Sequence, residues 1–127
     1  VETIALRAHD ASVDDVLAAD AYLIGCSENF GGVAGQVKDF LERIYYPCEG
    51  RIEARAWTAL VCAGNDGNGA MRDLDRIAKG LRLRKVHPGV VHRSGRVALT
   101  HAVAADALDA CRELGATLAA GLAEGLW

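Results

Sequence analysis

Two kinds of apolar pattern alternate along the chain, and each predicts one kind of secondary structure. Near-continuous apolar runs at 21–26, 57–63 and 85–92 are typical of strands that are buried on both faces of a parallel sheet. Residues 1–7 alternate between apolar and polar positions, which predicts a fourth strand at a sheet edge. Two cysteines, at 26 and 62, lie inside such runs, where cysteine commonly serves as a small buried hydrophobe.

Helical periodicity fills the intervals between these strands. Ser12 followed by Asp15 is a capping-box signature, which predicts a short helix toward Ala18. Three longer apolar stripes follow, the second with Asn68 as its expected N-cap and the third beginning near Thr100. In chain order the stripes are Val33, Val37, Phe40, Leu41 and Ile44; Ala70, Leu74, Ile77, Ala78 and Leu81; and Ala104, Leu108, Cys111, Leu114, Leu118 and Leu122.

The resulting order, in which a helix follows each strand, predicts an α/β fold with a parallel sheet between two helical layers. A chain of 127 residues is expected to form one such domain, spanning 1–127. Ligands of these sheets bind beyond the carboxyl ends of the strands, so the loops at those ends are the candidate sites.

Composition argues against several functional classes. With 51% hydrophobic residues and a net charge of −3, the chain has the balance of a globular domain and no broad attraction for nucleic acid or anionic lipid. The apolar runs are too short to span a membrane, and no signal-peptide pattern is present, so a cytoplasmic protein with reduced thiols is expected. The four cysteines and four histidines show neither metal-binding spacing nor a nucleophile arrangement, so we expect no metal site and no catalytic side chain.

Two loops at predicted strand ends are candidates for a ligand site. The first, residues 27–35, carries Phe30 among polar residues and has glycines at which a ligand can approach the backbone. The second, residues 64–69, has three glycines ahead of a helix and offers backbone N–H groups to an anion or a polar ring edge. Its glycine spacing matches neither the Walker nor the Rossmann pattern. On residue chemistry alone, an ordinary βα loop explains the first segment as well as a ligand site does, and plain turns also explain the second.

Taken in order, these segments resemble a known family. Residues 25–31 and the helix at 33–43 are similar to the second flavin loop and following helix of flavodoxin-like NAD(P)H-dependent FMN reductases and quinone reductases. The matching residues are the pair Phe30-Gly31, the pair Ala34-Gly35 and the spaced set Lys38, Phe40 and Arg43. Residues 63–69 resemble the third flavin loop, and residues 111–122 resemble the last helix. The resemblance covers nearly the whole chain and implies a flavodoxin-like three-layer sandwich.

The resemblance also implies an FMN cofactor, whose ring would carry the redox chemistry. The residues that it assigns to FMN are Ser27, Glu28, Asn29, Phe30, Gly31 and Gly32 beside the ring and ribityl chain, and Gly64, Asn65, Asp66 and Gly67 as backbone donors to the pyrimidine side. The implied function is an FMN-dependent oxidoreductase that uses NAD(P)H to reduce flavin or quinone-like small-molecule acceptors, assembled as a homodimer or homotetramer. Two alternatives stay open, a flavodoxin-type electron carrier and a non-catalytic flavodoxin-fold binding protein that has lost FMN.

The chain departs from this family in two respects. Ser27 replaces the proline that is usual at that position. More importantly, the chain begins at what would be the family's second strand, so the first strand, the phosphate-binding loop and the first helix have no counterpart. In the strand order 2-1-3-4-5 the first strand is central, so we expect unpaired strand edges within the sheet. Because the phosphate loop supplies much of the anchoring, we expect this chain to bind FMN weakly or not at all.

Overall fold

Parallel strands with helices between them form the framework of the protein. The computed structural model describes residues 1–94 and 103–127. In chain order the elements in these ranges are α1 (Val13–Ala18), β1 (Ala21–Asn29), β2 (Gly32–Val33), α2 (Gly35–Cys48), β3 (Ala56–Ala63), α3 (Asn68–Gly80), β4 (Arg84–Lys85), β5 (Val90–Arg93) and α4 (Ala105–Ala123). The predicted α/β class is therefore confirmed.

The sheet is built around β3, which has neighbours on both sides. β1 pairs with it in parallel from Ala21 opposite Ala56 to Ser27 opposite Cys62. On the other side β3 pairs in parallel first with β4 and then with β5. The short strand β2 joins β1 in antiparallel orientation at the carboxyl end of β1. The carboxyl ends of β1, β3 and β5 therefore lie side by side, where a ligand of such a sheet is expected.

The apolar run at 85–92 forms two short strands instead of the single strand predicted. Lys85 pairs with Trp57, and Val90 pairs with Leu60. Between these two pairs the segment 85–90 contains more residues than the facing segment 57–60 of β3, so the extra residues are left unpaired. Pro88 lies in the gap and has no N–H to donate to a ladder. Gly89 follows with a φ of 92°, outside the strand region. A local bulge of this kind divides one apolar run into two pairing segments.

The predicted strand at residues 1–7 is wrong. Those residues have no secondary structure, and Ile4 is 71% exposed. An alternating pattern specifies which side chains face a core, but a strand also needs a neighbour that accepts and donates its backbone hydrogen bonds. Within the described ranges no strand lies beside this segment. Residues 1–7 therefore have the alternating pattern of a strand but lack the neighbouring strand that would pair with them.

The helices follow their apolar stripes, except that Val33, predicted at the start of one stripe, lies in β2. Two of the helices cover one face of the sheet. Residues of α2 and α3 pack on β1 and β3 in a continuous core, which contains Cys26, Val37, Leu41, Trp57, Ala59, Val61, Ala70, Leu74 and Ala78. The predicted capping box at Ser12 is confirmed, with Ser12 and Asp15 bonded in both directions. At the other end of α1, the Arg55 guanidinium donates to the carbonyls of Leu17 and Ala19 at 2.8 and 2.7 Å.

The second face of the sheet is less completely covered. Side chains alternate across a strand, so Leu23 of β1 points away from the core formed with α2 and α3, and it is 41% exposed. Cys62 at the end of β3 is also exposed, which corrects its expected burial, whereas Cys26 is buried as expected. The helix α4 packs near β5 and begins at Ala105, while its predicted start near Thr100 lies outside the described residues. Among the described helices, none combines the length and the apolarity that crossing a bilayer demands.

Candidate functional site

The first predicted loop folds as a tight β-hairpin at the end of β1. Glu28 pairs with Val33 and Asn29 with Gly32, so only Phe30 and Gly31 form the turn. Both turn residues have positive φ, 52° and 74°, as in the two-residue turns that match the twist of a hairpin. Glycine accepts this conformation readily, but a bulky side chain does so at a cost of about 1–3 kcal/mol. Phe30 therefore lies in a strained turn, and its ring is fully exposed to solvent.

The hairpin packs directly on the first turns of α3. The N–H of Val33 donates to the Asp73 carboxylate at 3.0 Å. A side chain on Gly69 would collide with the carbonyl group of Gly31, so the two backbones approach more closely than any other residue at 69 allows. A Cβ on Gly32 would lie 2.9 Å from the Asp73 carboxylate. The hairpin and the helix are thus packed closely against each other.

Glu28 fills the N-terminus of α3. Its carboxylate accepts hydrogen bonds from the backbone N–H groups of Ala70 and Gly67, both at 3.0 Å. These bonds, with a smaller contribution from the Gly69 N–H, lower the pKa of the Glu28 carboxyl, and the positive charge of Arg72 acts in the same direction. The negative charge also lies at the positive end of the helix dipole.

Glu28 therefore replaces the N-cap that the sequence predicted. The N-cap position is Gly67, with a φ of 78° and no capping side chain, and Asn68 is the first helical residue. A carboxylate from a neighbouring strand supplies the acceptor that Asn68 was expected to supply. Sequence spacing does not reveal a cap that is contributed by a residue forty positions earlier.

The second predicted loop lies beside the hairpin. Its first three residues, Gly64, Asn65 and Asp66, are exposed, whereas Gly67 is buried. A Cβ on Gly67 would collide with Val91, so this position requires glycine for space as well as for its positive φ. The Nε of Arg93, at the end of β5, donates to the carbonyl of Asp66 at 2.8 Å. The loop is therefore held at Asp66 and Gly67, while residues 64–66 remain exposed.

The structure thus brings the predicted site residues together but divides them into two groups. The exposed group could meet a ligand directly and consists of Ser27, Asn29, Phe30, Gly31, Gly64, Asn65 and Asp66. Glu28 and Gly67 bond to each other, and Gly32 lies against Asp73. These three residues shape the site from within. Flavin binding by the exposed group is a prediction.

Sequence reasoning missed two residues that fix the shape of this site, Asp73 and Arg93. Arg93 ends a strand that is parallel to β3, so its place at the same sheet edge could have been inferred from the topology. Asp73 lies on a helix and gave no comparable signal. A third neighbour, His92, is in register with Cys62, which is in register with Ser27, so these side chains share one face of the sheet. In the part of the chain that the structure describes, no group of side chains has the composition of a metal site.

Comparison with solved structures identifies the fold. The chain superposes on a flavodoxin from the domain Archaea with a TM-score of 0.68 and 15% identity, over 88% of this chain and 71% of that one. A WrbA-like flavodoxin from Agrobacterium tumefaciens gives 0.68 and 16% identity, over 84% and 68% of the two chains. An NADPH-quinone reductase from P. pentosaceus gives 0.54 and 18% identity, over 69% and 65%.

The protein therefore has a flavodoxin-like fold. No protein-family model matches the sequence, and no curated protein matches it significantly. At 15–18% identity the structural similarity defines the fold alone. The chain spans about two thirds of the length of each of these three proteins.

Proposed function

We propose that this protein is an FMN-type flavoprotein whose isoalloxazine ring lies between the hairpin tip and the exposed residues 64–66. The observation that carries this proposal is the exposed, strained Phe30 beside an open glycine loop at the carboxyl edge of the sheet. Strain of this kind persists where the surrounding structure enforces it, and it is concentrated at binding sites. Here the docked hairpin enforces it.

The residues present fit the planar ring of a flavin but offer less to its phosphate. The Phe30 ring supplies an apolar surface, and the exposed backbone of Gly64, Asn65 and Asp66 supplies polar groups for a ring edge. Gly67, which the resemblance also assigned to the pyrimidine side, donates its N–H to Glu28. The same carboxylate fills the helix N-terminus, the usual place for an anion in such folds, and it would repel a phosphate. Anchoring through the ring alone implies weak binding.

The proposed reaction class is electron transfer from NAD(P)H to a small acceptor of the flavin or quinone type, in the cytoplasm. When bound, the flavin would carry the electrons, so the chain needs to bind, orient and partly shield the ring and needs no acid or base of its own. A homodimer or homotetramer is part of the proposal, because the quinone-reductase resemblance implies such assembly.

A fluorescence titration tests the proposal, since flavin emission changes when the ring stacks on protein. Phe30→Ala should weaken FMN binding about tenfold, the effect of losing one aromatic contact. Tyr46→Ala is the matched control because Tyr46 is an exposed aromatic residue near the far end of α2, and its removal should leave binding unchanged. Equal affinities for Phe30→Ala and the parent chain would overturn the proposed site. Oxidation of NADPH in the presence of FMN and a quinone then separates a reductase from an electron carrier.

One observation favours a second candidate, a non-catalytic binding protein that keeps the fold without FMN. Glu28 already satisfies the backbone donors of Gly67 and Ala70 that a cofactor could use. On this alternative the parent chain takes up no flavin at any accessible concentration, and neither does a variant in which Glu28 has been removed. Measurable uptake by either chain would exclude it.

A further inference from the structure

Arg93 places a positive charge beside the exposed loop at 64–66. It is the last residue of β5, and its Nε donates to the carbonyl of Asp66 at 2.8 Å. Among the described residues, that carbonyl is the only acceptor of the guanidinium, and no carboxylate forms an ion pair with it. The side chain is exposed, so the N–H groups of its terminal nitrogens are available to a ligand. One bond therefore fixes the cation at the loop while its charge stays accessible.

The acidic side chains of the hairpin and of α3 are engaged elsewhere. Glu28 accepts hydrogen bonds from backbone N–H groups of α3, and the positive charge of Arg72 acts on it. Asp73 accepts from the N–H of Val33. These charges are directed at backbone donors under the hairpin, whereas Arg93 is bonded to the segment that borders the proposed ring site. Its guanidinium does not lose its proton in proteins, so this positive charge is permanent.

The proposed reaction makes the ring more negative. A hydride from NAD(P)H carries two electrons and one proton, so the nicotinamide is oxidised and gains a positive charge while the flavin is reduced and gains a negative one. A fixed cation at the ring edge stabilises the negative, reduced ring more than the neutral, oxidised ring. Charge close to the ring is one of the means by which a protein tunes a bound flavin.

We propose that Arg93 raises the reduction potential of the flavin by stabilising the reduced ring electrostatically. This inference rests on the proposed function, because it takes the ring to lie against residues 64–66. The Nε bond to Asp66 holds the guanidinium at that loop, and the end of a sheet strand sets its position. Arg93 acts through its charge and transfers no proton.

Anaerobic calorimetric titrations with oxidised and with reduced riboflavin test this inference, because the ratio of the two dissociation constants reports how the protein shifts the reduction potential. Riboflavin has the ring without the phosphate, so a bond from Arg93 to a phosphate cannot contribute. Arg93→Gln should weaken binding of the reduced ligand about tenfold relative to the oxidised one, the size expected for one unit charge at a partly solvated site. For a two-electron couple this is a fall of about 30 mV in the potential of the bound flavin.

Two further variants separate the charge of Arg93 from its bond to the loop. Arg93→Lys keeps the charge without the Nε donor, and its ratio should stay within roughly threefold of the parent value, less than 1 kcal/mol. Arg51→Gln is the matched control, since Arg51 is exposed just beyond the C-terminus of α2, about 20 Å from the end of that helix beside the hairpin. It should leave the ratio unchanged.

Three results would overturn the inference alone: equal weakening of both ligands by Arg93→Gln, an Arg93→Lys ratio equal to that of Arg93→Gln, or an unchanged riboflavin ratio with a loss of affinity confined to FMN. The last result would show that Arg93 binds a phosphate. Failure of the parent chain to bind riboflavin in either state would overturn the proposed function and this inference with it.

Discussion

The two ends of β1 differ in how completely their polar groups are satisfied. At the carboxyl end, the hairpin, Glu28 and Asp73 engage the backbone donors of α3 and of β2. Toward the amino end, the edge that faces residues 4–8 has no strand partner in the described part of the chain. The first region is organised by hydrogen bonds within the chain itself, whereas the second leaves the backbone groups of a strand edge without a strand partner in the described residues. The hairpin and the loop at 64–67 are therefore held in place by contacts that do not involve the open edge of β1.

The largest effect should come from breaking the contact between the hairpin and α3. Gly69→Ala places a methyl group against the Gly31 carbonyl and should destabilise the protein by about 1–3 kcal/mol, as overpacking does. Gly115→Ala, within α4, is the control because the added methyl group meets no atom within 4 Å. It should stabilise the protein by about 0.5–1 kcal/mol, the helix-propensity gain of alanine. Urea denaturation measures both, and a stabilising Gly69→Ala would show that the hairpin does not pack on the helix.

Removing the Glu28 charge should destabilise the same unit in a pH-dependent way. Folding lowers the pKa of this carboxyl, so its contribution is complete above 4.5, the ordinary glutamate pKa, and is lost as the pH falls through the folded-state pKa. Glu28→Gln should therefore be less stable than the parent chain near neutral pH, and the difference should shrink toward acid pH.

Urea midpoints of the two chains, measured from neutral to acid pH, check this prediction. Glu42→Gln is the control because Glu42 pairs with Lys38 on the exposed surface of α2, and such pairs contribute about 0.3–0.5 kcal/mol. A stability difference for Glu28→Gln that stays constant down to acid pH would contradict the role of the charge.

Relieving the backbone strain at the hairpin tip should raise the stability of the protein and lower its affinity for flavin. Phe30→Asn places a residue that tolerates positive φ in a two-residue turn before glycine, and it should stabilise the protein by about 1 kcal/mol. The same variant should lose flavin affinity along with the aromatic ring. Thermal unfolding and flavin titration of one preparation measure both effects. Loss of stability in Phe30→Asn would mean that the exposed ring makes contacts that support the fold.

The smallest effect is expected in the N-terminal segment, which has no regular secondary structure. Leu6→Ala removes an apolar side chain that is 48% exposed, and it should change the free energy of unfolding by less than about 0.5 kcal/mol. Leu41→Ala, at a buried position of α2, should cost about 2–5 kcal/mol. Thermal unfolding of the two variants compares them, and a large cost for Leu6→Ala would mean that the N-terminal segment is already packed as part of the core.

The elements that depend on local pattern could be predicted from the sequence. The stripes of α2 and α3 and the capping box at Ser12 follow from spacing within a few residues, and the structure has all three. Features that depend on distant partners could not be predicted. Residues 1–7 have the alternation of a strand but no neighbour, and Asn68 has the chemistry of an N-cap but is displaced by Glu28.

The candidate site shows the same limit. The sequence predicted both of its segments, and the parallel pairing of β1 with β3 explains why they meet. The hairpin at Phe30 and Gly31 gave little signal, because the usual turn pairs are Asn-Gly and Asp-Gly and not Phe-Gly. The bonds from Glu28 and Asp73 to their backbone donors join residues far apart in the chain, and only the three-dimensional structure reveals them.

The proposal to be tested is that residues 27–31 and 64–66 hold a flavin ring with no separate contribution from a phosphate site among the described residues. Parallel titrations of the parent chain with riboflavin and with FMN test it most directly, since the two ligands share the ring and differ by the phosphate. The account predicts weak binding of both, with dissociation constants within roughly threefold of each other, which is less than 1 kcal/mol. FMN binding that is about a hundredfold tighter than riboflavin binding would contradict it by showing a phosphate site, and failure of riboflavin to bind would contradict the ring site itself.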